Sequence, residues 1–320
     1  MRQVTIGSRT LPASLAARAM DLCGHLTRPL GYRGFYTAAR ALGRVVPRET
    51  RAVVQLDDDC VFEFFLGDPY WNRLLHGGFD YEPELHHVFT RLADLHYLFV
   101  DGGANFGYWS VLLSGKRFGC QRVVAVEPVE QNVRRLRANC ELNGGRFSVE
   151  RAAIAQADDE EVTIRYSPAE TLSRPGASIV KSPGNDSGWC EEQVPTVTID
   201  TLVSRHGKPG QAVVAKLDVE GAEAAALEGM RRTLGQEVLV IYEDHGKDEA
   251  AAVTECVLGL GLHVWFVSDS GSVVGVKTIA DARRVKVQRF RGYNFVAASP
   301  DSSFSSLFSD SPLAQSRRTS

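Results

Sequence analysis

The chain has 320 residues, 44% of them hydrophobic and 23% charged, with a formal net charge of -3. That is a globular composition, long enough for one large domain or two small ones, and it lacks the strongly basic balance of a nucleic-acid-binding chain. Six cysteines (Cys23, Cys60, Cys120, Cys140, Cys190, Cys256) stand far apart without a C-x-x-C pair, so neither a zinc site nor a disulfide framework is expected.

Residues 1–97 begin with helical patterning in LAARAMDLCGHL and pass through the aromatic stretch VFEFFLGDPYWNRLL, which predicts a mainly helical extension. The first 51 residues hold nine arginines, no lysine, and only Asp21 and Glu49 as acids, which leaves +7. Two readings stand: a helical cap with its arginines in solvent, or a segment that rests on an anionic membrane surface or a phosphorylated substrate. Trp71, His76, Tyr81, His86 and His87 form a candidate lid. No apolar run approaches the about 18 residues of a membrane span, and the N-terminus lacks the apolar core of a signal peptide. The expected location is cytoplasmic, with peripheral membrane contact as the alternative.

From 98 to 298, short apolar runs alternate with amphipathic segments. LFVD (98–101), RVVAVE (122–127), RFSVERAAIA (146–155), VVAKLD (213–218), EVLVIYED (237–244), LHVWFVS (262–268) and YNFVAA (293–298) read as strands. With helices between them, they predict an α/β, Rossmann-like, doubly wound, mostly parallel sheet of seven strands. Residues 299–320 are rich in serine without periodicity and read as a disordered tail.

The first of these strands leads into FVDGGANFGYWS (99–110), where Gly102, Gly103, Ala104 and Gly107 crowd together ahead of a helix. Such a loop aims backbone N–H groups over the sheet edge, and glycines let a ligand come close. The spacing departs from the dinucleotide G-x-G-x-x-G. Asp101 repels a pyrophosphate but suits an ammonium group, which favours S-adenosylmethionine over a nicotinamide cofactor. Glu127 ends the second strand, where a carboxylate can accept the hydroxyls of an adenosine ribose.

Four segments carry a family resemblance: FVDGGANFG, VVAVEP, VTIDTL and AKLDVEGAE. In the order in which they stand, they resemble the signature stretches of the FkbM-type methyltransferases, over about residues 80–298 and including YEPEL before the first strand. The resemblance implies a class I S-adenosylmethionine fold and O-methylation of hydroxyl groups on natural products or glycans. It places Asp101, Gly103, Asn105 and Gly107 around the methionine part of the cofactor, Glu127 on the ribose, and Ala152 and Ala153 near the adenine. Gly102 departs from the pattern, since a small branched residue such as valine is expected there, and its absence implies a looser strand end.

Methyl transfer is an in-line displacement, so the enzyme chiefly aligns an acceptor oxygen with the sulfonium methyl. A positioned base adds roughly 10²–10⁴-fold. Strand alternation sends Lys216, Asp218 and Glu220 to one face, and His245 follows the next strand as the side chain best poised near neutral pH. These four are the candidate catalytic residues. The plainer readings are a structural Lys216–Glu220 ion pair and a loop histidine. Glu223 is explicable by the helix dipole alone. No spacing demands a metal, although carboxylates of this kind suit magnesium. The acceptor, a glycan or small molecule, is expected between the extension and the Gly-, Ser- and Pro-rich stretch from Ser167 to Val194. The alternatives are methyl transfer to nitrogen or a carboxylate, or a non-catalytic S-adenosylmethionine-binding scaffold at a membrane surface.

Overall fold

The computed structural model describes residues 4–6, 11–30, 32, 34–43, 46, 50–66, 68, 70–166, 178–180, 189–289 and 291–309. The extension holds β1 (Val4–Ile6), α1 (Leu11–Thr27), α2 (Phe35–Gly43), β2 (Arg51–Asp57), β3 (Cys60–Phe65) and α3 (Pro83–Arg91). Next come β4 (Tyr97–Gly102), α4 (Tyr108–Leu113), β5 (Arg122–Val126), α5 (Glu130–Leu142), β6 (Ser148–Glu150), β7 (Ala153–Ile154), β8 (Glu161–Tyr166), β9 (Ser178–Val180) and β10 (Cys190–Val197). The chain continues through α6 (Ile199–His206), β11 (Ala212–Leu217), α7 (Glu223–Glu228), α8 (Arg231–Leu234), β12 (Val238–His245) and α9 (Ala252–Gly259). It closes with β13 (His263–Val267), β14 (Val273–Val276), α10 (Ile279–Val285), β15 (Gly292–Ala298) and α11 (Ser303–Phe308).

The main sheet has the order β14-β13-β15-β12-β11-β4-β5-β6. Strands β12, β11, β4, β5 and β6 are parallel, whereas β15 lies antiparallel between β12 and β13. Eight strands stand where seven were expected. The eighth, β14, is a four-residue hairpin partner of β13 containing Gly275, too short and too loop-like to show a period.

Alternation along the strands builds two cores. Phe99, Val214, Leu239, Ile241, Val123 and Ala125 face one hydrophobic cluster, and their neighbours Leu98, Val100, Val213, Ala215, Val240 and Val124 face the other. The first cluster is continuous with Met20, Phe35, Phe62, Phe64 and Trp71, so the extension covers this face of the sheet.

The extension is less helical than expected, because β1, β2 and β3 form a three-stranded antiparallel sheet. The alternation in AVVQL and CVFEFF, joined at Asp58 and Asp59, is a hairpin pattern that the helical reading overlooked. Side chains of α5 hold its edge: the Asn139 amide oxygen accepts from the Glu63 N–H at 2.7 Å and that of Asn143 from the Val61 N–H at 3.0 Å.

The tail also differs. Within the stretch read as disordered, α11 buries Phe304 and Phe308, and Ser302 and Ser303 each donate to Glu237 at 2.7 Å. Residues 310–320 lie outside the described residues, as do 167–177 and 181–188 of the expected acceptor loop. Among the described residues no helix is long and apolar enough to cross a membrane.

Two glycines at the end of β4 are required by the chain itself. A Cβ on Gly102 would stand 2.7 Å from both the Lys216 carbonyl oxygen and Ile154 Cδ1, so the strand end is tight rather than loose. Gly103 has φ +74, and its Cβ would lie 1.8 Å from the Asp218 carbonyl oxygen. Gly102→Val is therefore expected to lower stability by about 1–3 kcal/mol, as overpacking does. Gly103→Ala is expected to lower it further, through added backbone strain. Urea unfolding followed by circular dichroism measures both.

Candidate active site

The carboxyl ends of β5, β4 and β11 open into one cavity of about 870 Å³, its mouth included. Asp101, Gly103, Ala104, Asn105, Glu127, Ala152, Ala153, Lys216, Asp218 and Glu220 all line it, so nearly every residue singled out in the sequence reaches one place. Gly102 is buried beneath the loop, and Gly107 caps α4 at φ 85. Such a position, beyond the strand ends of a doubly wound sheet, is where these folds bind ligands.

The glycine loop does not offer the free N–H groups expected of it. Gly103 and Ala104 both donate to the Val126 carbonyl at 3.0 Å, and Gly107 donates to Ala104 at 2.7 Å. Asn105, in the left-handed region at φ 52, donates to Glu127 Oε2 at 2.9 Å. The glycines thus let the loop press onto β5 and the 218 turn, and the loop is no anion cradle.

Glu127 is held from three sides. Besides Asn105, the Val129 N–H and the Asn132 side chain donate to its Oε1 at 3.0 and 3.1 Å. A carboxylate offers about four acceptor sites, so one remains, on Oε2, rather than enough for two ribose hydroxyls. Burial pushes the Glu127 carboxyl up to about 7 against these hydrogen bonds. Asn105 Oδ1 is buried and accepts no hydrogen bond, so the loop carries an acceptor in need of a donor.

At the other end of the cavity, strand register sets the electrostatics. Lys216 pairs with Asp101 across β11 and β4 and with Ile241 across β11 and β12. Asp101, Lys216 and Glu243 therefore share the sheet face covered by the extension. Lys216 Nζ lies 2.9 Å from Asp218 Oδ2, both groups largely out of water. Burial alone lowers the Lys216 ammonium, but the charges of Asp218, Glu82 and Asp101 outweigh it and the net shift is upward. Burial works to raise the Asp218 carboxyl, yet the Lys216 charge and hydrogen bond bring it below its usual range. Burial raises Asp101, which accepts from Ser110 Oγ at 2.6 Å.

Two further acids belong to this cluster and were missed as site residues. Glu243 sits over Gly292, where a Cβ would stand 1.3 Å from Glu243 Oε1, so the glycine makes its room. Burial, then the Asp218 charge, pushes Glu243 up to about 9, and it shares a hydrogen bond with Asp218. Glu82 caps α3 in the left-handed region at φ 44, accepts from Trp109 Nε1 at 2.5 Å, and is pushed up to about 7 by burial. Glu82, Asn105 and Glu220 (φ 51) all hold strained backbone at this one site, as functional residues often do.

The extension supplies part of the roof: its Tyr70, Trp71 and Tyr81 line the cavity together with Tyr108 and Trp109 of α4, and the Tyr70 and Tyr81 hydroxyls meet at 2.7 Å. Of the five residues expected to form a lid, Trp71 and Tyr81 line the cavity. His86 reaches Tyr108 at 3.3 Å, His87 packs against Gly271, and His76 turns towards α1. Among the described residues, Asp21, His25 and His76 are the three side chains whose ligand atoms lie within 4.8 Å of one another, and none of them lines the cavity.

His245 does not line the cavity either. Its side chain is 50% exposed, with Nε2 4.0 Å from Glu243 Oε2. Asp244 points to the opposite face, where Lys286 and Thr254 donate to it at 2.5 and 2.6 Å. Glu223 closes the turn before α7 by accepting from the Val219 and Gly221 N–H groups, a larger role than the helix dipole alone.

The fold and site define a doubly wound α/β protein with a ligand cavity at its strand ends, acidic at both extremities and roofed by aromatic rings. A family model described as the methyltransferase FkbM domain matches residues 101–261, half of the chain. The chain belongs to the FkbM methyltransferase family. No curated protein matches it. Among solved structures it is similar to a methyltransferase FkbM from Methylobacillus flagellatus KT, at 17% identity, a TM-score of 0.39, and over 83% of this chain. It spans 59% of that protein's length. It is also similar to an O-methyltransferase from Bacillus cereus in complex with SAH, at 11% identity and a TM-score of 0.37, over 68% of this chain and 80% of that one. The family match, and not these distant likenesses, places the chain.

The raised acids make stability depend on pH. Glu82 and Glu127 at about 7 and Glu243 at about 9 stand above the ordinary 4.5, so the folded chain binds more protons than the unfolded one in those windows. Stability from these groups is full below about 4.5 and is lost as pH rises through 7 and then 9. Glu243→Gln is expected to flatten the fall between neutral pH and about 9. Melting temperatures of the two proteins across that range check it.

Proposed function

We propose that the protein transfers the methyl group of S-adenosylmethionine to a hydroxyl of a glycan or small metabolite. The observation that carries this is the cavity itself, with the Glu127 carboxylate at one end and the largely buried Lys216–Asp218 pair two strands away. Adjacent strands lie about 4.8 Å apart, so the two ends are roughly 10 Å apart, which leaves room for an extended cofactor between them.

In this reading the remaining site on Glu127 Oε2 would hold the ribose, Ala152 and Ala153 would flank the adenine, Asp101 would hold the cofactor ammonium, and Asn105 Oδ1 would gain the donor it lacks. The acceptor hydroxyl lies at Asp218, beneath Tyr70 and Tyr81. Bound in the cavity, the cofactor would supply an electrophilic methyl group and leave as S-adenosylhomocysteine, and methylation of a hydroxyl would make its oxygen an oxonium, a strong acid. A carboxylate of low pKa such as Asp218 suffices to take its proton, with an ether, S-adenosylhomocysteine and a protonated Asp218 as the outcome. Lys216 holds Asp218 ionised and in place until then, and Glu243 donates to it. Glu220 borders the acceptor end. No base role is needed for His245, which is half-exposed and outside the cavity.

Three results test the proposal. Asp218→Asn is expected to lower turnover by about 10²–10⁴-fold in a labelled-methyl assay on hydroxylated acceptors, and His245→Ala by less than about tenfold. Equal losses in both, or none in Asp218→Asn, overturn the assignment. Calorimetric affinity for S-adenosylmethionine is expected to rise with pH through about 7, because Glu127 accepts from the ribose only when ionised. Glu127→Gln is expected to weaken binding and remove that pH dependence.

A further inference from the structure

Helix α1 has two apolar faces, and among the described residues only one is covered. Ala16, Ala17 and Met20 are buried against the extension's core, and Gly24 lets the helix close onto His76, where a Cβ would stand 2.6 Å from that side chain's Cβ. On the other side Leu15, Leu22 and Leu26 are 55%, 59% and 68% exposed. At 100° per residue these three fall within about 40° of one another, a single stripe along three turns. Scattered exposed leucines need no explanation, but an aligned stripe on one helix does.

The charge around the stripe names its occupant. Residues 1–51 carry nine arginines against two acids in a chain whose net charge is -3. Arg18 on α1, Arg28 at its end and Arg40 on α2 are all exposed. Arg2, Arg9, Arg33, Arg44 and Arg48 add their charge from outside the described residues. An apolar stripe flanked by cations, with neither a span nor a groove, suits a surface that is apolar beneath and anionic on top.

We infer that α1 docks the protein on an anionic lipid surface, with Leu15, Leu22 and Leu26 in the acyl boundary and the arginines at the head groups. The inference stands apart from the methyl-transfer reading, since none of these residues lines the cavity. The two are linked in space: α1 packs on the turn Trp71–Leu75, whose Trp71 is part of the cavity wall, so a surface held by α1 lies one layer behind that wall.

Co-sedimentation of the full chain with vesicles tests it, using phosphatidylcholine alone or with about one-third phosphatidylserine. Binding is expected only to the anionic vesicles and is expected to weaken with salt. Replacing Leu15, Leu22 and Leu26 together by Glu, or Arg18, Arg28 and Arg40 by Glu, is expected to lower partitioning roughly tenfold or more. Unchanged circular dichroism and S-adenosylmethionine affinity in both variants would show that fold and cofactor site are intact. Absence of vesicle binding by the wild type, or binding unaffected by the leucine variant, overturns the inference. Dimerisation of the wild type without lipid, lost in the leucine variant, overturns it in favour of a second copy of the chain.

Discussion

The ion pair between Lys216 and Asp218 governs the acceptor end of the cavity. Removing one partner from a fully buried pair costs about 3–5 kcal/mol, because the other charge is left without compensation. With Lys216 buried and Asp218 24% exposed, the cost for this pair lies toward the lower end. Here more than one carboxyl group depends on the same cation. Asp101, Glu82 and Asp218 all face Lys216, and Glu243 meets that field through Asp218. A single buried ammonium cannot hold four acids ionised. Asp218 keeps its charge by direct contact, while Glu243 keeps its proton and donates. The site is thus prepared with one anion, one cation and a neutral acid in contact.

That preparation rests on the register of three parallel strands and on the loops that follow them. Gly102 and Gly103 let β4 run hard against the Lys216 and Asp218 carbonyls, which holds the Asp218 backbone where its side chain can meet Lys216. The same loop is tied to Glu127 through Asn105, so the two ends of the cavity are mechanically one piece. Over this floor lies the extension. Trp71, Tyr81 and Glu82 come from the extension, whose β3 is bound to α5 through Asn139 and Asn143, and the rings of Trp71 and Tyr81 remove water from the carboxylates. Electrostatic interactions in such a dry, fixed setting are stronger than in solvent.

Much of this was legible in the sequence, for definable reasons. The strands Tyr97–Gly102, Arg122–Val126, Ala212–Leu217 and Val238–His245 are continuous apolar runs bounded by acidic or small residues, the signature of strands buried on both faces. Asp101, Glu127, Lys216 and Asp218 stood out as charged residues ending such runs. The hairpin of β2 and β3 was hidden by helical patterning upstream, and α11 by a serine-rich composition whose two phenylalanines find a home only on the folded sheet. Glu82 gave no local signal beyond its place in YEPEL. Glu243 could not be told from Asp244 and His245 beside it: alternation separates Asp244 from the other two, but only the folded structure shows that Glu243 hydrogen-bonds Asp218 while His245, at the strand end, is half-exposed.

By itself the sequence determined the succession of the seven main strands with helices among them, the small-residue loop after the first of those strands, and the family to which the chain belongs. All of these are encoded in local pattern, in runs of residues close together along the chain. Only the tertiary structure decided that the glycines serve the chain's own close packing, that Glu82 and Glu243 join Asp218 around Lys216, that His245 stays outside, and that α1 leaves a second apolar face bare. These depend on which surfaces meet across long separations in sequence, and on how far burial shifts a proton, neither of which any local pattern records.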